Sequence, residues 1–116
     1  MKEGLPPTFI LTGNEIITSI RVQGPHRQRD PSGKLQYLHW SIELKDYDGS
    51  QVAGRIGSVR YGEIPKGYVQ TYPENGAAPP LVEGESYSVR FITTVAEHDS
   101  GRFAIKNGKV VFTRNE

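Results

Sequence analysis

The chain contains no cysteine in its 116 residues, which excludes disulfides and thiolate metal sites. A domain of this length buries enough apolar surface to fold without such staples, so the absence fixes no compartment. Charge of one sign is missing too: Lys and Arg total 14 against 13 for Asp and Glu, a formal net charge of +1. That balance supplies no whole-protein field to draw in a polyanion, and no nucleic-acid partner is expected. Long hydrophobic runs are also lacking. The start, Met1-Lys2-Glu3-Gly4-Leu5-Pro6-Pro7, offers no apolar signal core, and no stretch approaches a membrane span. The sequence as written reads as that of a soluble protein. A periplasmic or secreted location is favoured if a signal peptide or a lipid-anchored linker has been removed.

Turn formers and alternation are abundant instead. The 13 Gly and 8 Pro punctuate the chain too often for a helical fold. Residues 1–7 read as a tail or linker end, and 8–116 as a single domain. A short β-rich run at 8–11 comes first. Ile16, Thr18, Ile20 and Val22 then alternate with Ile17, Ser19 and Arg21, a strand with one apolar face. Residues 24–34 read as a polar loop. Leu38, Trp40, Ile42 and Leu44 alternate with Tyr37, His39, Ser41 and Glu43, the clearest period-two pattern present. Residues 46–49 read as a turn, and 52–56 and 59–61 as short strands broken at Gly57. The 64–73 segment reads as extended and close to a sheet edge, because Pro65 and Pro73 cannot donate to a central ladder. A stiff loop follows at 74–80. Tyr87, Val89, Phe91, Thr93 and Val95 mark a long strand, 97–101 a turn, and 103–112 a hairpin about Asn107-Gly108. The expected fold class is all-β, a single antiparallel β-sandwich of about seven or eight strands.

Trp40, inward on an early strand, and Leu81-x-x-Gly84-x-x-Tyr87-x-Val89 together resemble the fibronectin type III pattern within the immunoglobulin-like class. The resemblance implies a core tryptophan and a corner tyrosine, Tyr87, whose hydroxyl bonds back to upstream backbone. The tight hairpin at 101–112 departs from that pattern. Tyr61-Gly62-x-Ile64-Pro65-x-Gly67-Tyr68 followed by Pro79-Pro80-Leu81 is similar to small bacterial envelope proteins, which are commonly secreted or lipid-anchored. A fold of this class hosts many roles and selects none.

Catalytic chemistry finds little to work with. Nucleophilic hydrolysis needs a nucleophile held by an oriented base. His26, His39 and His98 have no such setting in the sequence and read as surface residues, His39 on the outward strand face between Tyr37 and Ser41. Asp46-x-Asp48-Gly49 imitates the start of a calcium loop without its later ligands and reads better as an Asp-Gly turn. Glu83 and Glu85 flank the corner glycine and read as solvated. No catalytic residue, cofactor site or metal site is expected, and the chain is read as non-enzymatic.

Two groups remain as partner-binding candidates. Arg27 and Arg29 belong to the basic 24–34 loop and suit an acidic partner; the alternative is a solvated hairpin connection. Tyr61, Tyr68 and Tyr72 gather around the Pro/Gly-rich segment and offer contact area with a polar tip. Their alternative is packing over an open sheet edge. The leading expectation is a binding or accessory domain, in a bacterial envelope or secreted, acting through a protein–protein interface. Arg27 and Arg29 would make charge-assisted contacts there, with Tyr61, Tyr68 and Tyr72 as apolar anchors. A carbohydrate-binding module with a tyrosine platform, and a small inhibitor or immunity-type protein, are the alternatives.

Overall fold

The computed structural model describes residues 6–29, 35–95 and 97–113, with the backbone alone described at 25–29, 35–37, 97–100 and 112–113. The elements run β1 (Thr8–Ile10), β2 (Ile17–Arg29), β3 (Leu35–Leu44), α1 (Ala53–Ile56), β4 (Ser58–Arg60), β5 (Tyr68–Tyr72), β6 (Ser86–Thr93), β7 (Glu97–Lys106) and β8 (Lys109–Thr113). They build two antiparallel sheets, β1 with β4, and a six-stranded sheet ordered β5-β3-β2-β6-β7-β8. The all-β, antiparallel class expected from the alternation is the one the chain adopts. Its division into two strands against six differs from the four-and-three split of a constant-type immunoglobulin sandwich. Among the described residues no helix is long and apolar enough to cross a membrane.

Period-two alternation turns one face of the large sheet inward. Ile20, Val22, Trp40, Ile42, Tyr87, Val89, Phe103 and Ile105 are buried there, and the small sheet closes over them with Phe9 and Val59. Phe9 meets Phe91 and Phe103 with ring centroids 6.3 and 6.0 Å apart. Trp40 is wholly buried, and its indole N–H donates to Oε1 of Gln70 at 3.0 Å. The Tyr87 hydroxyl accepts the backbone N–H of Val82 at 2.9 Å, which is the corner contact that the Leu81-to-Val89 pattern implies.

Each departure from the expected elements has a local cause. The 24–34 segment is not a loop throughout: β2 continues to Arg29, and Gln28 and Arg29 pair with Gln36 and Leu35 to extend the hairpin. Residues 30–34 lie outside the described residues. Residues 53–56 form a helical turn rather than a strand. The N–H of Ala53 bonds the Glu15 carbonyl at 2.9 Å, and those of Ile56 and Gly57 bond back to Val52 and Ala53. A short apolar run does not separate these two states by pattern alone. The expected turn at 97–101 is strand: Glu97 and His98 already pair with Ile92 and Phe91. Gly101, at φ 120°, sits where the register slips from Val89↔Gly101 to Arg90↔Asp99, so it marks a bulge inside β7. Pro7, assigned to the tail, is fully buried, and its carbonyl accepts the N–H of Tyr61 at 2.9 Å. The Asn107-Gly108 hairpin forms as expected, with φ of 53° and 72° at its two turn residues.

Candidate functional site

A second bulge decides the place of His39. Val22 pairs with Trp40 but Gln23 with Leu38, leaving His39 as the extra residue. The bulge breaks alternation, and His39, expected to face outward, is 6% exposed. Its ring lies 6.1 Å from that of Tyr61 and 5.1 Å from that of Tyr87. Its Nε2 is buried without a hydrogen-bond partner. Burial lowers its pKa below the ordinary 6.5, against a smaller upward pull from the carbonyls of Pro79 and Pro80. The group is therefore a neutral core histidine at pH 7. The side chains of His26 and His98 lie outside the described residues.

Tyr61 and Tyr68 also belong to the core, each 6% exposed. The Tyr61 hydroxyl donates to the Pro79 carbonyl at 2.7 Å, and its ring lies 5.2 Å from the Trp40 ring. The Tyr68 hydroxyl donates to the Ile17 carbonyl. Burial pushes the Tyr68 pKa up to about 12, and burial followed by the neighbouring Tyr87 raises that of Tyr61. Both stay protonated donors at neutral pH, and neither offers a surface to a partner. Packing, the alternative weighed from the sequence, accounts for them. Tyr72 differs, being half-buried at the end of edge strand β5. Arg27 and Arg29 lie on the extended arm of β2, and their side chains are outside the described residues.

The opposite face of the large sheet is polar, and its register gathers residues far apart in sequence. One row runs Tyr72, Ser41, Arg21, Arg90 and Asp99 across β5, β3, β2, β6 and β7. The next row toward the β2–β3 arm runs Gln23, Ser88, Arg102 and Thr113. Arg21 and Arg90 stand directly opposite one another, with Arg102 diagonal to Arg90. Arg21 and Arg90 are partly exposed and Arg102 exposed. The Glu43 carboxylate reaches Arg21 only at 4.0 Å. Alternation placed Arg21 and Arg90 on outward positions of their strands. It carries no signal that β2 and β6 are neighbours.

The Asp46–Gly49 turn holds itself together. The Asp48 carboxylate accepts the Ser50 hydroxyl at 2.6 Å and the Lys66 ammonium at 2.9 Å, and these keep its pKa well below the usual carboxylate range. Buried Gln51 joins it to the next turn, donating to the Lys66 carbonyl at 3.1 Å and accepting the Asp48 N–H at 2.9 Å. Among the described residues no group of three or more His, Asp or Glu is placed to hold a metal ion.

A cleft of about 290 Å³ opens where β1 meets the large sheet, lined by Ile10, Leu11, Thr12, Glu15, Ile17, Ala53, Phe91 and Thr93. Glu15 was not singled out in the sequence, where it stands alone between a turn and a strand. No protein-family model, curated protein or solved structure matches this chain.

Proposed function

We propose that this chain is a non-enzymatic binding domain whose working surface is the polar face of the six-stranded sheet, and that the partner is single-stranded nucleic acid. The carrying observation is the register that sets Arg21, Arg90 and Arg102 on three neighbouring strands with Tyr72 in the same row. Guanidinium groups suit phosphate oxygens, with Ser41, Ser88 and Gln23 as further polar contacts. A tyrosine at the row's end supplies a face on which a base stacks. The β2–β3 arm, bearing Arg27 and Arg29, continues the basic track. Like charges directly opposite on adjacent strands work against a sheet, and a bound polyanion offsets that cost.

This reading departs from the expectation drawn from net charge, because a whole-chain total averages away a local row. The protein-interface reading keeps Arg27 and Arg29 but loses Tyr61 and Tyr68 to the core, and the sugar platform loses the same pair. The fibronectin type III resemblance rests on Trp40 and the Tyr87 corner. The connectivity, with long β2 shared between two ladders, is also akin to the partly open barrels whose sheet face takes up oligonucleotides or oligosaccharides. That likeness of connectivity assigns no function by itself. An envelope or secreted location rests on the 61–68 and 79–87 motifs alone.

Fluorescence anisotropy with a labelled oligo-thymidine of about 16 nucleotides tests the proposal. Binding is expected at low salt, weakened about tenfold or more by Arg21→Glu or Arg90→Glu and also by Tyr72→Ala, with melting temperatures little changed. Uptake of polyglutamate but not of the oligonucleotide would return the reading to an acidic protein partner. Uptake of neither would overturn it.

A further inference from the structure

We propose that the cleft between the two sheets is a second binding site, for a small amphipathic alkylammonium ligand. It is separate from the polar face, since Phe91 on its wall packs against Phe9 on the inner side of the large sheet. About 290 Å³ lies at the small end of ligand pockets, which fits a fragment-sized molecule. Its floor is apolar, built from Leu11, Ile17, Ala53 and Phe91. Ala53 leaves this space open by its size, and Ile10 at the rim is 44% exposed.

One carboxylate stands over that floor, and it is held in place from two sides. The Glu15 backbone carbonyl accepts the N–H of Ala53 at 2.9 Å, fixing the residue to the start of α1. Its Oε1 accepts the hydroxyl proton of Thr93 at 2.6 Å. Thr93 Oγ1 in turn accepts the N–H of Val95 at 3.3 Å. A positioned carboxylate can accept about four hydrogen bonds in all, and an alkylammonium donates three and accepts none. Such a pair forms charge-assisted bonds, stronger than those a neutral hydroxyl makes. The alkyl chain covers the apolar floor and gains by leaving water. An alcohol of equal length gains the floor alone, and a carboxylate is repelled. The site therefore selects by charge at its wall and by length at its floor.

The test is a titration followed by amide and methyl NMR shifts, using n-hexylamine, n-hexanol and n-hexanoate with the full chain. The amine is expected to shift Ala53, Phe91 and Thr93 and to bind about tenfold tighter than the alcohol, with no binding of hexanoate. Glu15→Gln keeps an acceptor for Thr93 while removing the charge, and is expected to bring amine and alcohol to equal affinity. Ala53→Leu fills the floor and should abolish both, with circular dichroism melting as the check that it folds. If it does not fold, the Glu15→Gln comparison decides alone. Arg21→Glu, which disables the polar face, should leave amine binding unchanged. Equal affinity of amine and alcohol for the unaltered protein, shifts that map away from the cleft, or no shifts with the amine would each overturn the proposal.

Discussion

The Tyr87 hydroxyl receives the Val82 N–H at 2.9 Å while the ring stacks on Phe103 at 5.4 Å. The hydroxyl and the ring therefore act separately. Tyr87→Phe keeps the ring and leaves one backbone donor without its acceptor, at a cost of about 1 kcal/mol. A lower urea midpoint with an unchanged slope would show it. His39 offers a pH test. Its folded pKa is depressed by burial, so on acidification the unfolded chain takes up a proton near pH 6.5 and the folded chain does not. Stability is full above that value and falls as pH drops from it toward the lower folded pKa. His39→Phe is expected to flatten that part of the melting-temperature profile. An unchanged slope between about pH 7 and 5 would place the proton uptake elsewhere.

At the scale of elements, the β7–β8 hairpin is gripped by the segment leading into the Tyr87 corner. The N–H of Gly84 bonds the Ile105 carbonyl at 2.7 Å, and the N–H of Ile105 bonds the Glu85 carbonyl at 3.1 Å. Glu83, expected to be merely solvated, accepts the N–H groups of Asn107 and Gly108, both at 2.8 Å. Glu83→Ala should speed hydrogen exchange at those two amides and cost about 1 kcal/mol; unchanged exchange would show the clamp to be idle. Strand positions and the Asn107-Gly108 turn were readable because alternation and turn chemistry are local. The bulges at His39 and Gly101 were not, since an extra residue in a ladder is defined only against its partner strand. His39 was misplaced for that reason. The hydroxyl partners of Tyr61 and Tyr68, at Pro79 and Ile17, likewise lie far along the chain.

For the whole molecule, the two faces of the large sheet divide its chemistry. One is apolar and ends in the cleft beside Glu15, and the other carries the arginine rows. The rows were illegible because the neighbour relation of β2, β6 and β7 decides them, whereas composition reports only a sum. If Arg21, Arg90 and Arg102 each neutralise a phosphate, log K should fall with log salt at a slope of about −2. Removing one of them, as in Arg102→Gln, should reduce that slope by about 0.7; a slope near zero would argue against phosphate contact. The indole of Trp40 has a further use. It is the sole tryptophan, rooted in β3 and bonded to Gln70 of edge strand β5. Its emission therefore reports on one seam of the molecule. Fraying of β5 would admit water to the ring before the sheet as a whole came apart, giving a red shift ahead of the loss of β-sheet dichroism.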